Sequence, residues 1–195
     1  MSEPPVAGAL AFTDLVGFTE YTATRGDREA LAVLRAQDDI VREALPDGAR
    51  VVKELGDGLL LFLPDSAVAV GTCLAILDGF ERAADADEMP LWVRAGLHWG
   101  RPSRRGQDLI GHDVNVAARI VDVAAPGELL CSGMMLSQVE NLRGGEPDGA
   151  RSEGRVEFVE LGPVMMKGIP DPIPLFRVER ADLGRRDPAA SLSPP

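Results

Sequence analysis

Two short apolar runs constrain the fold most, because a two-residue connection joins them. The runs are Arg50–Leu55 and Gly58–Leu63, and only Gly56 and Asp57 separate them. A Gly/Asp pair between two strand-like runs predicts a tight β-hairpin, whose strands are antiparallel neighbours in a sheet. Further strand patterns alternate with helical ones along the chain. The sequence therefore predicts an α+β sandwich, with one largely antiparallel sheet and helices packed against it.

The remaining elements follow from apolar periodicity and from the positions of glycine and proline. Predicted helices cover Phe18–Thr24, Arg28–Leu45, Ser66–Ala84 and Asp113–Val123, with Asp27 as the cap of the second. Predicted strands outside the hairpin cover Val6–Phe12, Leu91–His98, Gln107–Ile110, Glu128–Cys131, Arg155–Leu161 and Ile173–Val178. We expect one domain over residues 7–180, a polar loop at 141–154, a flexible N-terminus at 1–6 and a disordered tail at 181–195.

Composition argues against several classes of protein. Acidic residues outnumber basic ones, 31 to 20, and the formal net charge is -11 over 195 residues. A nucleic-acid-binding protein normally presents a basic surface, so no nucleic-acid partner is expected. Cys73 and Cys131 lie in apolar stretches, which indicates core residues in a reducing compartment. The N-terminus is unlike a signal peptide, and no apolar run is long enough to cross a bilayer, so we expect a cytoplasmic protein without a membrane partner.

The stretch FTDLVGFTEY places a carboxylate where a buried strand ends. Asp14 closes the apolar run, and Gly17 allows a sharp turn before the next predicted helix. A carboxylate beside turning backbone amides is one way to hold a metal ion and a phosphate group. It is also an ordinary way to end a strand, with the aspartate accepting hydrogen bonds from the turn. The stretch alone leaves both interpretations open.

The hairpin carries two further charged residues. Asp57 lies at the predicted tip, where aspartate commonly serves turn geometry alone. Lys53 shares a strand face with Val51 and Leu55, so its stem is expected along apolar surface. If that face is buried, the ammonium group needs an acceptor, whereas an exposed edge position requires none.

Two polar side chains interrupt an otherwise apolar helix in the stretch QDLIGHDVNVAARIVDV. Asn115 and Arg119 are four residues apart and share a helix face. The alternative is a solvated stripe in which Arg119 pairs with Asp122. Asp108, before this helix, is compatible with a turn residue. His98 and His112 lie on different elements and are expected to be satisfied or exposed rather than catalytic.

Five stretches, in this order, resemble the catalytic domain of the class III adenylyl cyclases: FTDLVGFT, KELGDG, VRAGLHWG, DLIGHDVNVAAR and MMKG. The likeness extends from Ala7 to Val178. It implies a ferredoxin-like α/β sandwich that converts ATP to 3′,5′-cyclic AMP and pyrophosphate. In that reaction the ribose 3′-hydroxyl attacks the α-phosphate with assistance from two divalent metal ions, Mg²⁺ or Mn²⁺. By this resemblance, Asp14 and Asp57 are the metal ligands.

The resemblance also implies roles for the other site residues. The triphosphate is expected on the backbone of Leu15, Val16, Gly17, Phe18 and Thr19, with Arg94 and Lys167 on its phosphates. Asn115 is expected to orient the ribose, and Arg119 to stabilise charge on the α-phosphate. The chain departs from the family pattern at Ile110, where many relatives have tryptophan, and at the Met165–Met166 run before Lys167.

Lys53 and Asp108 are the expected purine-reading pair. A lysine can donate to N1 of adenine, and an aspartate can accept from the N6 amine. Guanine presents the opposite pattern, and guanylyl cyclases of the family usually carry glutamate at the lysine position. The expected substrate is therefore ATP.

The family builds each active site from two catalytic domains. A chain that carries both sets of residues is expected to form a homodimer with two equivalent sites. The sequence does not identify the regulator, and an unidentified regulatory partner and control by expression level are both open. A degenerate cyclase domain that binds nucleotide without turnover is the main alternative, but the metal aspartates, Asn115 and Arg119 are all present. A GGDEF-type dinucleotide synthase would require a signature that this sequence lacks.

Overall fold

Nine strands and five helices follow one another in the residues that the computed structural model describes, 6–143 and 156–181. The strands are β1 (Gly8–Leu15), β2 (Arg50–Leu55), β3 (Gly58–Leu63), β4 (Val93–Gly100), β5 (Ser103–Arg105), β6 (Asp108–Ile110), β7 (Leu129–Ser132), β8 (Val156–Val164) and β9 (Ile173–Arg180). The helices are α1 (Phe18–Arg25), α2 (Asp27–Ala44), α3 (Ser66–Asp85), α4 (His112–Val123) and α5 (Gly133–Arg143).

Seven of these strands form one sheet, in the order β2-β3-β1-β4-β7-β9-β8, and β5 pairs with β6 in a separate ribbon. All neighbours in the large sheet are antiparallel except β4 and β7, which are parallel. A parallel pair needs a long connection, and here that connection contains α4. The interior strand β1 places Asp14 directly opposite Arg94 of the central strand β4.

The two faces of the sheet pack against different helices. Alternate residues of β1 point in opposite directions, as the pleat requires. Ala9 and Ala11 belong to the larger core, which includes residues of α2, α3 and α5. Leu10 and Phe12 belong to a second core that packs against α4. A third core joins α4 to β7, β9 and the segment before β9. Helix α4 therefore lies on the opposite side of the sheet from α2, α3 and α5.

The predicted α+β sandwich is confirmed, and so are the hairpin, whose bounds match, and the four predicted helices, whose ends shift by one residue or less. One cap is wrong: Asp27 is the first residue of α2, Gly26 occupies the N-cap position, and no side chain caps this end. The strand predicted at Val6–Phe12 begins and ends later, at Gly8–Leu15. Strand β5 and helix α5 were not predicted.

Several expectations fall outside the described residues. Most of the predicted flexible N-terminus, most of the loop at 141–154 and all but the first residue of the predicted tail lie there. Within 6–143 and 156–181, none of the helices combines the length and apolar character needed to span a bilayer. Cys73 and Cys131 are free and buried, as predicted.

Candidate active site

The turn after β1 brings backbone amides close to a carboxylate. Asp14 is the penultimate residue of β1, and the amide of Val16 donates to the carbonyl of Trp92 at 2.8 Å. Gly17 then takes a left-handed conformation, with φ 79°, immediately before α1 begins at Phe18. That conformation strains any residue with a Cβ, which explains why the aspartate is followed so closely by glycine. The N-terminal end of α1 therefore lies beside the end of β1.

Asp57 lies at the hairpin tip, next to the end of β1. A Cβ on Gly58, the residue after Asp57, would be 3.7 Å from Oδ1 of Asp14. The backbone of the hairpin tip therefore lies close to the Asp14 side chain. Burial raises the pKa of Asp57, and the negative charge of Asp14 adds to that shift, whereas backbone hydrogen bonds from Asp57 itself and from Leu15 oppose it. Two neighbouring acids whose charges repel each other form a site that favours a cation.

Arg94 provides one counter-charge for this acidic site. Its Nε and Nη2 atoms lie 2.9 and 2.6 Å from Oδ2 of Asp14. Its Nη1 atom donates to the carbonyls of Asp122, at 3.1 Å, and Ala124, at 3.4 Å. The guanidinium group thus binds one carboxylate oxygen of Asp14 and leaves the other on the side of the hairpin. The predicted contact of Arg94 with phosphate stays a prediction.

Lys53 and Asp108 form a close ion pair. The ammonium of Lys53 lies 2.8 Å from Oδ1 and 3.0 Å from Oδ2 of Asp108. Both side chains keep about a third of their surface exposed, 29% and 36%. The hydrogen bond from Lys53 is the largest cause of a lowered pKa for Asp108, and the amide of Leu109 contributes to the same shift. Strand β2 is an edge strand, which is the position that one of the two interpretations of Lys53 required. The ammonium of Lys53 nevertheless has an acceptor, the carboxylate of Asp108.

Helix α4 presents Asn115 and Arg119 on its exposed face, while Val116 and Ile120 are buried on the opposite side. Arg119 donates to the Asp122 carboxylate at 2.5 Å, which is the alternative that the sequence left open. Such an exposed pair contributes only about 0.5 kcal/mol, so Arg119 is readily available to another anion. Its predicted role on the α-phosphate is therefore compatible with this geometry.

Lys167 lies in the turn between β8 and β9 and is exposed. The preceding Met166 is buried in the third core, against residues of α4 such as Val116. Met165 points outward and is 66% exposed. One methionine of the unusual Met165–Met166 run thus anchors the turn against α4, and Lys167 extends from that anchored segment.

Known proteins resemble this chain in sequence and in fold. No protein-family model matches the chain. A pH-sensitive adenylate cyclase of Mycobacterium tuberculosis is 29% identical over 180 residues, which is 90% of this chain and 42% of that protein. An adenylate cyclase of Glutamicibacter nicotianae is 27% identical over 163 residues, 80% of this chain and 40% of that protein. The chain spans less than half the length of these curated relatives.

The structural match extends over nearly all of the chain. The crystal structure of the adenylyl cyclase CyaB from P. aeruginosa superposes with a TM-score of 0.73 at 20% identity, covering 94% of this chain and 100% of that one. The chain has the fold of the class III cyclase catalytic domains. Guanylyl cyclase domains share the same fold, so the fold does not select the purine.

The structure gathers five of the predicted site residues into two groups. Asp14, Asp57 and Arg94 form the acidic site, and Lys53 pairs with Asp108. Among the described residues, no hydrogen bond or ion pair links the first group to the second. Asn115, Arg119 and Lys167 are exposed and contact neither group directly through such bonds.

Sequence reasoning missed the side chain that holds the tip of the β2–β3 hairpin. Gln37 of α2 is 2% exposed, and its Nε2 atom donates to the backbone carbonyl of Asp57 at 3.0 Å. A signal was available, because Val33, Gln37 and Val41 are spaced by four residues and all three are buried. A polar residue on the apolar face of a helix needs a partner, and here the partner is the backbone of a predicted metal ligand.

Proposed function

We propose that this domain converts ATP to 3′,5′-cyclic AMP and pyrophosphate. The observation that carries the proposal is the ion pair between Lys53 and Asp108, which places a donor and an acceptor side by side. Adenine offers an acceptor at N1 and a donor at N6, so the pair complements its edge. Guanine would leave the lysine facing a donor, and an unpaired polar group in a closed pocket is costly. The names of the curated relatives support the same substrate.

Asp14 and Asp57 fit a site for Mg²⁺ or Mn²⁺, and we propose two ions per site. The described residues contain no cluster of three or more His, Cys, Asp or Glu arranged for a metal. Two carboxylates are nevertheless sufficient, because Mg²⁺ is commonly bound by one or two carboxylates together with substrate phosphates. The adjoining backbone positions of Asp14 and Asp57 and the raised pKa of Asp57 are consistent with a cation between them. When bound, such ions would supply activation of the ribose hydroxyl and charge neutralisation.

The chain's own residues would orient ATP and neutralise its charge. The amides from Leu15 to Thr19, at the N-terminal end of α1, would donate to the phosphates. Arg94 and Lys167 would add positive charge to the triphosphate, and Asn115 would hold the ribose. Arg119 would stabilise the α-phosphate while the 3′-oxygen attacks and pyrophosphate leaves, because a guanidinium stays charged and donates in a fixed fork.

We also propose that the active site is shared between two chains of a homodimer. Within one chain, the purine-reading pair and the acidic site make no bond to each other, which is consistent with two partners that each supply one half. An isologous dimer would then contain two equivalent sites. The free cysteines and the need for ATP support a cytoplasmic location. An unidentified regulatory partner stays a prediction.

A product assay tests the proposed reaction directly. The purified chain is incubated with ATP and Mn²⁺ or Mg²⁺, and nucleotide products are separated and quantified together with pyrophosphate. We expect cyclic AMP and pyrophosphate in equal amounts, and no product when EDTA is present. GTP in place of ATP should give far less cyclic product. Equal or greater use of GTP would contradict the assignment of the purine, and no cyclic product from either nucleotide would contradict the activity.

A further inference from the structure

Polar contacts connect three elements beneath the N-terminal end of α4. Nδ1 of His98, on β4, lies 2.7 Å from the hydroxyl oxygen of Ser132, at the end of β7. Nε2 of the same ring lies 3.6 Å from Oδ1 of Asp113, in the first turn of α4. The other oxygen of Asp113 accepts from the backbone amide of Arg101 at 2.6 Å. His98 and Ser132 are both buried, at 5% and 1% exposure.

A neutral His98 ring with its hydrogen on Nε2 satisfies every contact in this cluster. The amide of Met135 donates to the hydroxyl oxygen of Ser132 at 3.3 Å, so the hydroxyl hydrogen is free to donate to Nδ1 of His98. The ring hydrogen then lies on Nε2 and faces the carboxylate of Asp113. Burial lowers the pKa of His98 below its ordinary value of 6.5, although the charge of Asp113 opposes that shift. The neutral ring suits every contact.

The residue types resemble those of a hydrolytic triad, but the surroundings exclude that role. The Ser132 hydroxyl is inaccessible and already accepts the amide of Met135, so no substrate carbonyl can approach it. The surroundings of Gly100 show which element the Asp113 side chain contacts. A Cβ at Gly100 would lie 2.4 Å from three atoms of the Asp113 side chain, so this side chain lies directly against the end of β4.

Asp113 is two residues before Asn115 and six before Arg119. The second and third cores hold the apolar face of α4, with Val114 as the core residue of its first turn, and the polar contacts of Asp113 are a second attachment of that turn. We propose that His98 and Asp113 are positioning residues that fix the first turn of α4 and thereby orient Asn115 for the reaction. The part of this inference that concerns the reaction rests on the proposed cyclase function. The part that concerns the helix does not.

Amide hydrogen exchange tests the anchoring without nucleotide. The variants are His98→Phe, which removes both ring nitrogens, and Asp113→Asn, which removes the negative charge. The amides of residues 115–119 are informative, because earlier amides of a helix lack intrahelical acceptors. We expect their exchange to be about tenfold faster in both variants. The matched control is His112→Phe, at an exposed histidine in the same turn, and it should leave exchange unchanged.

Steady-state kinetics with ATP then test the link to the reaction. We expect kcat to fall about tenfold in His98→Phe and Asp113→Asn, with a smaller change in KM, because a misplaced group costs most in the transition state. His98→Gln, which has a carbonyl for Ser132 and an N–H for Asp113, should recover part of kcat. A merely structural role would lower the fraction of active protein without this recovery.

The outcomes separate the two proposals. Unchanged exchange in Asp113→Asn overturns the anchoring, and this variant carries the test if His98→Phe does not fold. Faster exchange with unchanged kcat overturns the positioning of Asn115. If the wild-type chain makes no cyclic AMP, the proposed function fails, while the exchange experiment still decides whether His98 and Asp113 fix the helix.

Discussion

Lys53 and Asp108 are 55 positions apart in the sequence, yet the ammonium of one contacts both carboxylate oxygens of the other, at 2.8 and 3.0 Å. A second link supports this arrangement, since Arg50 of the same strand donates to the carbonyl of Gln107 at 2.9 Å. The edge strand β2 and the β5–β6 ribbon are therefore joined twice. The donor and acceptor proposed to read the purine consequently hold a fixed relation before any ligand binds.

Exchange of the purine-reading pair should weaken the preference for ATP. The double variant Lys53→Glu with Asp108→Gly removes the adenine-matched donor and acceptor and introduces an acceptor for guanine. We expect the ratio of kcat/KM for ATP over GTP to fall at least about tenfold. Arg50→Gln is the matched control, because it loosens the ribbon without changing either reading group. A double variant with full ATP activity and unchanged selectivity would show that this pair does not read the base.

Loss of either carboxylate in the acidic site should abolish turnover. In Asp14→Ala or Asp57→Ala, one remaining carboxylate cannot hold two cations against phosphate repulsion, so we expect activity below about a tenth of wild type. Cyclic AMP formation in saturating Mn²⁺ measures this loss. Asp39→Ala, at an exposed position of α2, is the control and should behave like wild type. More than a tenth of the activity in both variants would disprove the two-metal assignment.

Much of the fold could be predicted because its signals are local. The β2–β3 hairpin follows from two turn residues between apolar runs, and Gly17 marks the turn after β1. Helix α5 lacked such a signal, since it begins directly after β7, and the Met135 amide donates to the Ser132 hydroxyl on the preceding strand. Asp27 looked like a cap, but Gly26, with φ 85°, makes the turn and moves Asp27 into the helix.

The site could be predicted less well than the fold from residue spacing and periodicity. Asp14 and Asp57 each had a structural interpretation as good as a functional one, and only the ordered motifs of the family distinguished the two. The pairing of Lys53 with Asp108 depends on contacts across 55 residues, which no local pattern encodes. The partner of Gln37 is a backbone carbonyl on another element, so the sequence revealed at most that a buried amide needed one.

Mixed dimers should recover activity if the active site is shared. Asp14→Ala and Arg119→Ala affect opposite halves of the proposed site, so each variant alone should be nearly inactive. In a mixed dimer, one site carries both substitutions and the other carries neither. Random pairing makes half the dimers mixed, each with one intact site, so co-expression should restore about a quarter of wild-type activity. Inactive mixed dimers, verified by differential tagging, would mean that each chain builds its site alone.

Removal of the Gln37 amide should loosen the hairpin tip with little effect on global stability. Gln37→Leu places an apolar side chain of similar size in the core and removes the hydrogen bond to the carbonyl of Asp57. We expect the Mn²⁺ concentration for half-maximal activity to rise about threefold or more, because the ligand is less well fixed. Gln138→Leu, on α5, is the control. An unchanged Mn²⁺ requirement in a folded variant would contradict a role for Gln37 at the tip.

The buried histidine should make stability depend on pH in a defined window. The pKa of His98 is lowered by burial in the folded chain, whereas in the unfolded chain it has its ordinary value of 6.5. The unfolded state therefore binds more protons below pH 6.5, and the free energy of unfolding should fall as the pH drops from 6.5 towards the folded pKa. Above 6.5 the slope from this histidine fades over about one pH unit, as the unfolded state also loses its proton.

Urea denaturation at about pH 7.5, 6.5 and 5.5 measures that slope. His98→Phe should flatten it, and His112→Phe should reduce it much less, because the charge of His112 is the smallest of the causes that shift the pKa of His98. Asp113 and His112 act on the same ring, so the slope should steepen in Asp113→Asn, where the opposing negative charge is lost. An identical slope in wild type and His98→Phe would mean that other groups control stability in this range.

Strand β1 lies inside the sheet, between β3 and β4, and this position affects how the chain folds during synthesis. Gly8 pairs with Gly100, and the rest of β1 pairs with β4 on one side and β3 on the other. At about 5 to 20 residues per second, a ribosome needs roughly 5 to 20 s to complete β4 after β1 has been made. During that interval β1 has at most one neighbouring strand. The backbone N–H and C=O groups on its other edge are unpaired and can pair with another chain. A strand that is almost entirely buried in the finished domain thus stays unprotected while the next 85 residues are made, so nascent chains are expected to need chaperones.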